Sequence, residues 1–246
     1  MTNIGAAFDN IASVYDELWT RSAAGLAQRA AVWRVADELF IPGDHVLDLG
    51  CGTGEDALRL EDRGVRVTAI DASAGMVSAA RLRGVDAQQL AIEDIDALNG
   101  LYDGALSNFG AFNCIEDPRS IASALAPLTR PGGRVVICVM GRICLWETVH
   151  YLGRGEPRKA FRRWRGSTLW GESAIFYHSV RELAAAFRPD FELSRSGGAG
   201  IFVPPSYVTG LSRATVERLS RVDRHVHSWP LLRALSDHRV LVFKRV

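Results

Sequence analysis

Cysteine is scarce in this 246-residue chain: there are four, Cys51, Cys114, Cys138 and Cys144, and no two form a CxxC pair. That spacing supports neither a structural zinc site nor a disulfide framework, and no metal is implied. No run reaches the ~18 apolar residues of a bilayer-spanning helix. The opening MTNIGAAFDN lacks the basic-then-apolar layout of a signal peptide. Charge of either sign is not in excess, since the formal net charge is +1, so overall charge selects no partner. Internal repeats and low-complexity segments are missing as well. These absences predict a reduced, cytoplasmic protein. What is present is ordinary for a globular chain, 48% hydrophobic and 23% charged residues, with length enough for one sizeable core.

Short apolar runs alternate with helical patterns. VLDLG (46–50) precedes a helix over 55–64 that carries Ala57, Leu58 and Leu60 and stops at Gly64. VRVTAID (65–71) alternates and is β-branched, the signature of a strand. SAGMVSAARLRG (73–84) opens on an N-cap serine and has apolar residues at helical spacing. VDAQQLA is a weaker strand, YDGALSNFGAF (102–112) a fourth, and PRSIASALAPL a helix with Pro118 in its first turn. RPGG then turns the chain into RVVICVM (134–140). Such an order predicts a doubly wound, Rossmann-like α/β fold, with helices on both faces of a mainly parallel sheet. Further on, SVRELAAAF (179–187) begins with a capping box, Ser179 and Glu182. FELSRSG and HRVLVFKRV supply the last two strands, with a helical stretch near 211–225 between them. Two amphipathic helices are expected before the first strand, over IGAAFDNIASVYDELW and GLAQRAAVWRVADELF. Residues 141–178 hold three tryptophans and a basic cluster but no clean strand. The expected organisation is one domain over 1–246: a helical cap (1–40), a cofactor-binding core (41–140), and substrate-side insertions (141–178 and 201–236).

In a doubly wound sheet, ligands bind at the carboxyl ends of the strands. Gly50, Gly52 and Gly54 form GxGxG in the loop after the first strand, where glycine lets a ligand approach the backbone closely. The dinucleotide fingerprint GxGxxG needs a glycine where Glu55 stands, and a pyrophosphate at the helix N-terminus would meet Glu55 and Asp56. Asp48 adds another acceptor. A positively charged ligand without phosphates fits better, and S-adenosylmethionine, with its sulfonium, ammonium and ribose, is one.

VLDLGCGTG resembles the first motif of the class I S-adenosylmethionine-dependent methyltransferases, small-molecule branch. AID, ending in Asp71, resembles their acidic second motif, whose carboxylate binds the ribose hydroxyls. ASAGMV resembles the turn beyond it, which implies that Ala72 belongs to the cofactor site and that Met76 packs on adenine. IEDI resembles the segment that contacts the adenine ring, implying Glu93, Asp94 and Ile95, with Asp94 as acceptor for the amino group. YDGALSNFGAF resembles the motif lining the methyl-transfer pocket, with Asn108 and Phe109, and RPGG resembles the usual approach to the fifth strand. FDNIASVYDELW is similar to the helix that folds over the cofactor, bringing Tyr15. The resemblance spans roughly residues 8–140 in order and implies a seven-stranded sheet. It implies a site of Tyr15, Asp48, Gly50, Cys51, Gly52, Asp71, Ala72, Met76, Glu93, Asp94, Ile95, Asn108 and Phe109. Cys51 enters for its size rather than its reactivity, and Phe8 reads equally as helix core.

The implied activity is methyl transfer from S-adenosylmethionine to a small-molecule oxygen, nitrogen or carbon acceptor, apolar or anionic, leaving S-adenosylhomocysteine. Such a displacement needs positioning and exclusion of water more than a triad, and none is visible. His150, Tyr177, His178, His225 and His227 fall where the acceptor pocket is expected, but each reads as readily as a packing or surface residue, so no catalytic residue is assigned. SNFGAF has no proline, unlike the N/D-P-P-Y/F motif of enzymes that methylate adenine or glutamine nitrogen. The one substrate clue is RGEPRKAFRRWRG (154–166), with six basic residues, one acid, Phe161 and Trp164. It suits a peripheral membrane contact, an anionic acceptor or a tRNA backbone, or it is simply a solvated face. The alternatives to the main reading are a tRNA-modifying methyltransferase, which would need a broader basic face, and a non-catalytic regulatory subunit, which would not need intact glycines and Asp71. A nicotinamide dehydrogenase is disfavoured by the missing GxGxxG.

Overall fold

A computed structural model describes residues 4–171 and 173–246. The chain begins with α1 (Ile4–Asp9), a π-helical turn (Asp16–Thr20) and α2 (Ala23–Leu39), followed by β1 (His45–Leu49), α3 (Glu55–Glu61), β2 (Arg66–Asp71), α4 (Ala74–Leu82) and β3 (Ala87–Gln89). After a 3-10 turn (Ile92–Ala97) come β4 (Tyr102–Ser107), a second 3-10 turn (Ala111–Cys114), α5 (Pro118–Leu128) and β5 (Thr129–Met140). Then follow α6 (Leu145–Leu152), α7 (Pro157–Ala160), β6 (Ser167–Trp170), β7 (Ser173–Phe176), α8 (Val180–Ala186), β8 (Phe191–Ala199), α9 (Arg213–Val226), α10 (Pro230–Ala234) and β9 (His238–Arg245).

Seven strands form one sheet in the order β3-β2-β1-β4-β5-β9-β8. The first five are parallel, while β9 runs antiparallel to both β5 and β8. Strand order reverses between β1 and β4, so the carboxyl ends of these two strands flank the crevice where ligands enter. Alternation along β1 explains the two cores: Leu47 and Leu49 join Phe112, Phe187 and Phe243 on one face, while Val46 joins Val32, Phe40 and Leu60 under α2 and α3 on the other. Helix starts are fixed by side-chain caps. Ser22 Oγ accepts from Gly25 N at 2.9 Å, Ser73 Oγ accepts from Met76 N at 3.1 Å, and the Ser179–Glu182 capping box closes as the sequence predicts.

Four expectations are corrected. The first amphipathic helix is split into α1 and the π-helical turn, with irregular turns between them. Strand four ends at Ser107, because Gly110 and the 3-10 turn from Ala111 lead the chain across the carboxyl edge. RPGG does not precede its strand but is an irregularity inside β5, where pairing moves from Tyr102↔Thr129 to Gly104↔Arg134. The insertion does contain strands: β6 and β7 form an antiparallel hairpin apart from the main sheet.

Candidate active site

The loop between β1 and α3 is shaped by main-chain demands. Gly50 N and Cys51 N both donate to Ile70 O at 2.9 Å, which folds the loop back onto β2. Gly50 has φ +76°, and a Cβ there would lie 2.4 Å from the Ala111 side chain. Gly52, at φ +54°, is different: a Cβ would meet nothing, because it would project into open space. Asp71, at the end of β2, secures the loop from below. Its Oδ2 accepts from Gly52 N and its Oδ1 from Ser73 N, both at 2.9 Å. Burial raises its carboxyl above the ordinary value, with these two N–H bonds opposing.

Beside this loop lies a narrow slot of about 80 Å³. It gathers Tyr15, Gly50, Gly52, Asp71, Ala72, Met76, Glu93, Asn108 and Phe109 from the sequence-derived set, and adds Phe8, Ile92, Cys114 and Ile115. Asp48, Cys51, Asp94 and Ile95 do not line it. The 3-10 turn at Ile92–Ala97 explains two of these: its three-residue repeat sends Ile92 and Ile95 inward and leaves Asp94 exposed. Asp48 stands behind the loop in β1, fully buried, with Oδ2 lacking any hydrogen-bond partner. Burial, followed by the neighbouring Asp56, pushes its carboxyl well above the usual range.

The acids at the start of α3 are not aimed at the slot. Asp56 is buried in an ion pair with Arg29 and also accepts from Trp33 Nε1 at 2.7 Å and Asn108 Nδ2 at 3.1 Å. Glu55 pairs with Arg83 at 3.1 Å. The acids left near the slot are therefore Asp71 and Glu93, which line it, and Asp48 behind the loop, whose burial favours the neutral carboxyl. Arg29 also lies 4.6 Å over the Phe109 ring, and Phe109 holds φ +47°, so α2 props the turn after β4 in a conformation that side chains seldom adopt. Above the loop, Asp9 Oδ1 accepts from Ser73 Oγ at 2.6 Å and Gly75 N at 2.8 Å. Asp16 accepts from Thr53 Oγ1 at 2.8 Å and pairs with Arg83. These contacts hold the N-terminal segment, with Phe8 and Tyr15, against the slot.

Phe8, Tyr15, Phe109 and Cys114 also line a second cavity of about 470 Å³, a volume typical of small-molecule sites. Trp19, Tyr151, Trp170, Tyr177 and Tyr207 give it aromatic walls. Its polar side is a buried network around Glu147, which is 1% exposed. Glu147 accepts from Arg162 Nε at 2.8 Å, Arg163 Nη2 at 2.8 Å and the Tyr207 hydroxyl at 2.8 Å. Arg163 Nη2 continues to Asp237 Oδ1 at 2.8 Å, and Gln28 Nε2 donates to Asp237 Oδ2 at 3.3 Å. Burial opposes charge on Asp237, but His238 and Arg163 beside it hold its carboxyl well below the usual range.

Two of the six basic side chains at 154–166 thus turn inward. The segment is no continuous basic helix but α7 followed by a 3-10 turn (Arg162–Arg165). Of the candidate bases, Tyr177 lines the second cavity, whereas His150, His178, His225 and His227 do not. His178 Nε2 is 2.7 Å from Ile115 O, and His225 Nδ1 is 2.8 Å from Arg221 O, both backbone contacts. The imidazole at the cavity is His238, whose ring meets the edge of Phe109 at 5.2 Å. It was missed because it reads only as the first residue of the last strand. Since β9 is antiparallel to β5, with His238 opposite Met140, that first residue comes to the carboxyl edge of the sheet.

A glycine loop after β1, an acid ending β2 and a reversed last strand define the class I S-adenosylmethionine-dependent methyltransferase fold. The chain belongs to the methyltransferase domain family, whose sequence model matches residues 19–189. It is 33% identical over 170 residues to the demethylmenaquinone methyltransferase of Mycolicibacterium paratuberculosis, covering 64% of this chain and 70% of that protein. Its likeness to the enzyme of the same name from Clavibacter sepedonicus, 35% over 143 residues, covers 55% of this chain and 57% of the relative. Among solved structures it resembles the 1,6-didemethyltoxoflavin-N1-methyltransferase of Burkholderia thailandensis with bound substrate and S-adenosylhomocysteine. There the TM-score is 0.57 at 18% identity, over 99% of this chain and 87% of that one. Magnesium protoporphyrin IX methyltransferase from Synechocystis, also with bound S-adenosylhomocysteine, gives 0.52 at 19%, over 91% and 83%.

Proposed function

We propose that this chain transfers a methyl group from S-adenosylmethionine to a small, largely apolar, planar acceptor. The observation that carries the reading is a junction: a slot floored by Gly50, Gly52 and Asp71 meets a far larger aromatic-walled cavity at Phe8, Tyr15 and Phe109. The slot suits the donor because a Cβ at Gly52 would occupy open space there. Buried Asp48, with an oxygen left unpartnered, becomes an electrostatic match once a bound cation favours its carboxylate. In this reading Asp71 accepts from the ribose hydroxyls, while Ala72 and Met76 pack on adenine beside Glu93. Asn108, held by Asp56, and Phe109, held by Arg29, shape the passage between the two spaces.

When bound, the donor supplies an electrophilic methyl carbon. The chain's own residues orient the acceptor between aromatic faces and keep water out, which is where such an enzyme gains its rate. His238 is the cavity's imidazole, and in its neutral form it takes the proton from an acceptor that must lose one, the resulting imidazolium lying beside the Asp237 carboxylate. Arg162 and Arg163 are neutralised by Glu147 and Asp237, which favours an uncharged acceptor over an anionic one.

A lipid-soluble acceptor suits one more observation. Leu145, Val149 and Leu152 make an exposed stripe on α6 at 40%, 57% and 47% exposure, and Arg158 and Arg165 are exposed in the adjoining segment. Among the described residues no helix is long and apolar enough to cross a membrane, so contact with an anionic bilayer would be peripheral.

Calorimetric titration with S-adenosylmethionine, S-adenosylhomocysteine and NAD tests the cofactor assignment. Binding of the first two without the third is expected, and binding of NAD alone would overturn it. An acceptor screen with the labelled methyl donor then tests the transfer itself.

A further inference from the structure

Another face of α2 borders a cleft of about 240 Å³ that none of the reaction chemistry uses. Arg34 and Glu38 line it from α2, Arg195 and Gly197 from β8, and Arg224 and His227 from the end of α9. The two acids nearby are already engaged. Glu38 pairs with Arg195 at 2.6 Å. Asp223 accepts from the backbone N–H groups of Ile201, Phe202 and Val203 at 3.1, 2.8 and 3.2 Å. Among the described residues Arg34 and Arg224 therefore have neither a hydrogen-bond nor an ion-pair partner, although Arg34 is partly buried. Gly197 lets His227 close on the strand, since a Cβ there would lie 3.2 Å from its Nδ1.

The electrostatics of this arrangement are unfavourable when nothing is bound. Burial and then the facing Arg224 lower the Arg34 guanidinium's hold on its proton, with Asp223 and Glu38 opposing in part, and burial, Arg34 and Arg195 do the same to the His227 imidazole, with Glu38 opposing. The unpaired guanidinium groups of half-buried Arg34 and exposed Arg224, lining one cleft, match a planar or tetrahedral oxyanion, to which each can donate in a forked pair. We propose that this cleft binds a phosphate-type oxyanion, either free phosphate or a phosphoryl group carried by a small molecule.

The test is made on the full chain at constant ionic strength. It uses inorganic phosphate and adenosine monophosphate as probes and chloride as control, read by calorimetry and by the NMR signals of the His227 ring. Saturable binding is expected, with the His227 titration moving to higher pH as the anion offsets Arg34 and Arg195. Tighter binding of the nucleotide than of phosphate assigns the site to a carried phosphoryl group, and equal binding to free phosphate. Arg34→Gln combined with Arg224→Gln should weaken binding about ten-fold or more, the loss of at least one charge-assisted pair. Glu38→Gln should strengthen it, because it removes the competing acid and frees Arg195, and a gain cannot come from misfolding. S-adenosylhomocysteine affinity should be unchanged in both variants, which separates this site from the methyl-transfer reading. A response to chloride equal to that of phosphate, or no effect of Glu38→Gln, would overturn the proposal.

Discussion

Around Gly50, Gly52 and Asp71 the site is shaped by main chain: N–H groups pinned to Ile70 O and to a carboxylate, with backbone dihedrals that glycine adopts freely. On the other side of Phe109 it is shaped by side chains from distant parts of the sequence. Glu147, Arg163 and Asp237 form one buried chain of charges, tied by Gln28 to α2. The first arrangement places a ligand by shape and leaves little freedom to vary. The second holds a cavity open with charges that cancel one another, so its aromatic lining can change while the frame stays. A fold that keeps one donor and changes its acceptors would be divided in this way.

The sharpest test of that contrast is removal of the hub. Glu147→Ala leaves Arg163, 4% exposed, facing only Asp237, and strips Arg162 and Tyr207 of their acceptor. Breaking a buried pair from one side typically costs about 3–5 kcal/mol, so a large drop in denaturant midpoint is expected. Titration points the same way. Burial opposes ionisation of Glu147, but Arg163 and Arg162 hold its pKa below 4.5. Its stabilisation is thus present above that value and is lost as pH falls through the lowered one. Unfolding that is unchanged in the variant and insensitive to acid would break the comparison.

Next comes the glycine loop. Gly50→Ala forces a left-handed alanine, about 1–2 kcal/mol, and drives its Cβ to within 2.4 Å of Ala111, which overpacking adds to by roughly 1–3 kcal/mol. Both stability and S-adenosylhomocysteine affinity should fall. Gly52→Ala carries the same left-handed cost at φ +54° but has open space around its Cβ, so it should cost less stability than Gly50→Ala and still weaken affinity. Melting curves paired with calorimetry separate the two, and equal behaviour of both variants would refute the distinction drawn between floor and wall.

These particulars show why one half of the site was legible and the other was not. A loop that needs positive φ and close approach admits little but glycine, so GCGTG and the acid ending β2 state their roles locally. Asp56 was visible as an acid, but its partner Arg29 lies 27 residues upstream, and only the packing of α2 shows that it braces Asn108 rather than facing the ligand. Arg163 and Asp237 are 74 residues apart, and no periodicity reports such a pair. His238 depended on strand direction, which the sequence leaves open. The β6–β7 hairpin escaped notice because each strand has only four residues and the largely exposed STLW lacks a buried alternation.

Asp71→Ala removes a carboxylate that binds Gly52 and Ser73 N–H groups and, in the proposed reading, the ribose. Loss of charge-assisted bonds worth roughly 1.5–3 kcal/mol predicts about 10- to 100-fold weaker S-adenosylhomocysteine binding. The fold should persist, since the β1–β2 pairing from His45↔Arg66 to Leu49↔Ile70 does not involve this side chain. Unchanged affinity would sink the assignment.

The smallest effect is the most discriminating, because it asks how each half handles charge. Glu147 is compensated within the protein, whereas Asp48 has an unpartnered Oδ2 and a carboxyl pushed well above 3.8 by burial and then Asp56. In the folded protein without ligand, its neutral form contributes stability that is present below 3.8 and fades as pH rises through the raised value. A nearby sulfonium and ammonium would favour the carboxylate, so binding of S-adenosylmethionine between those two pH values should expel a proton. Calorimetry in buffers of different protonation heat reads that proton directly, and affinity should rise with pH across the same interval. Asp48→Asn should abolish both effects while retaining the strand. Binding without proton release in the wild-type protein would mean that Asp48 only packs behind the loop, and that Asp71 and Glu93 supply the charge that favours a cation in this slot.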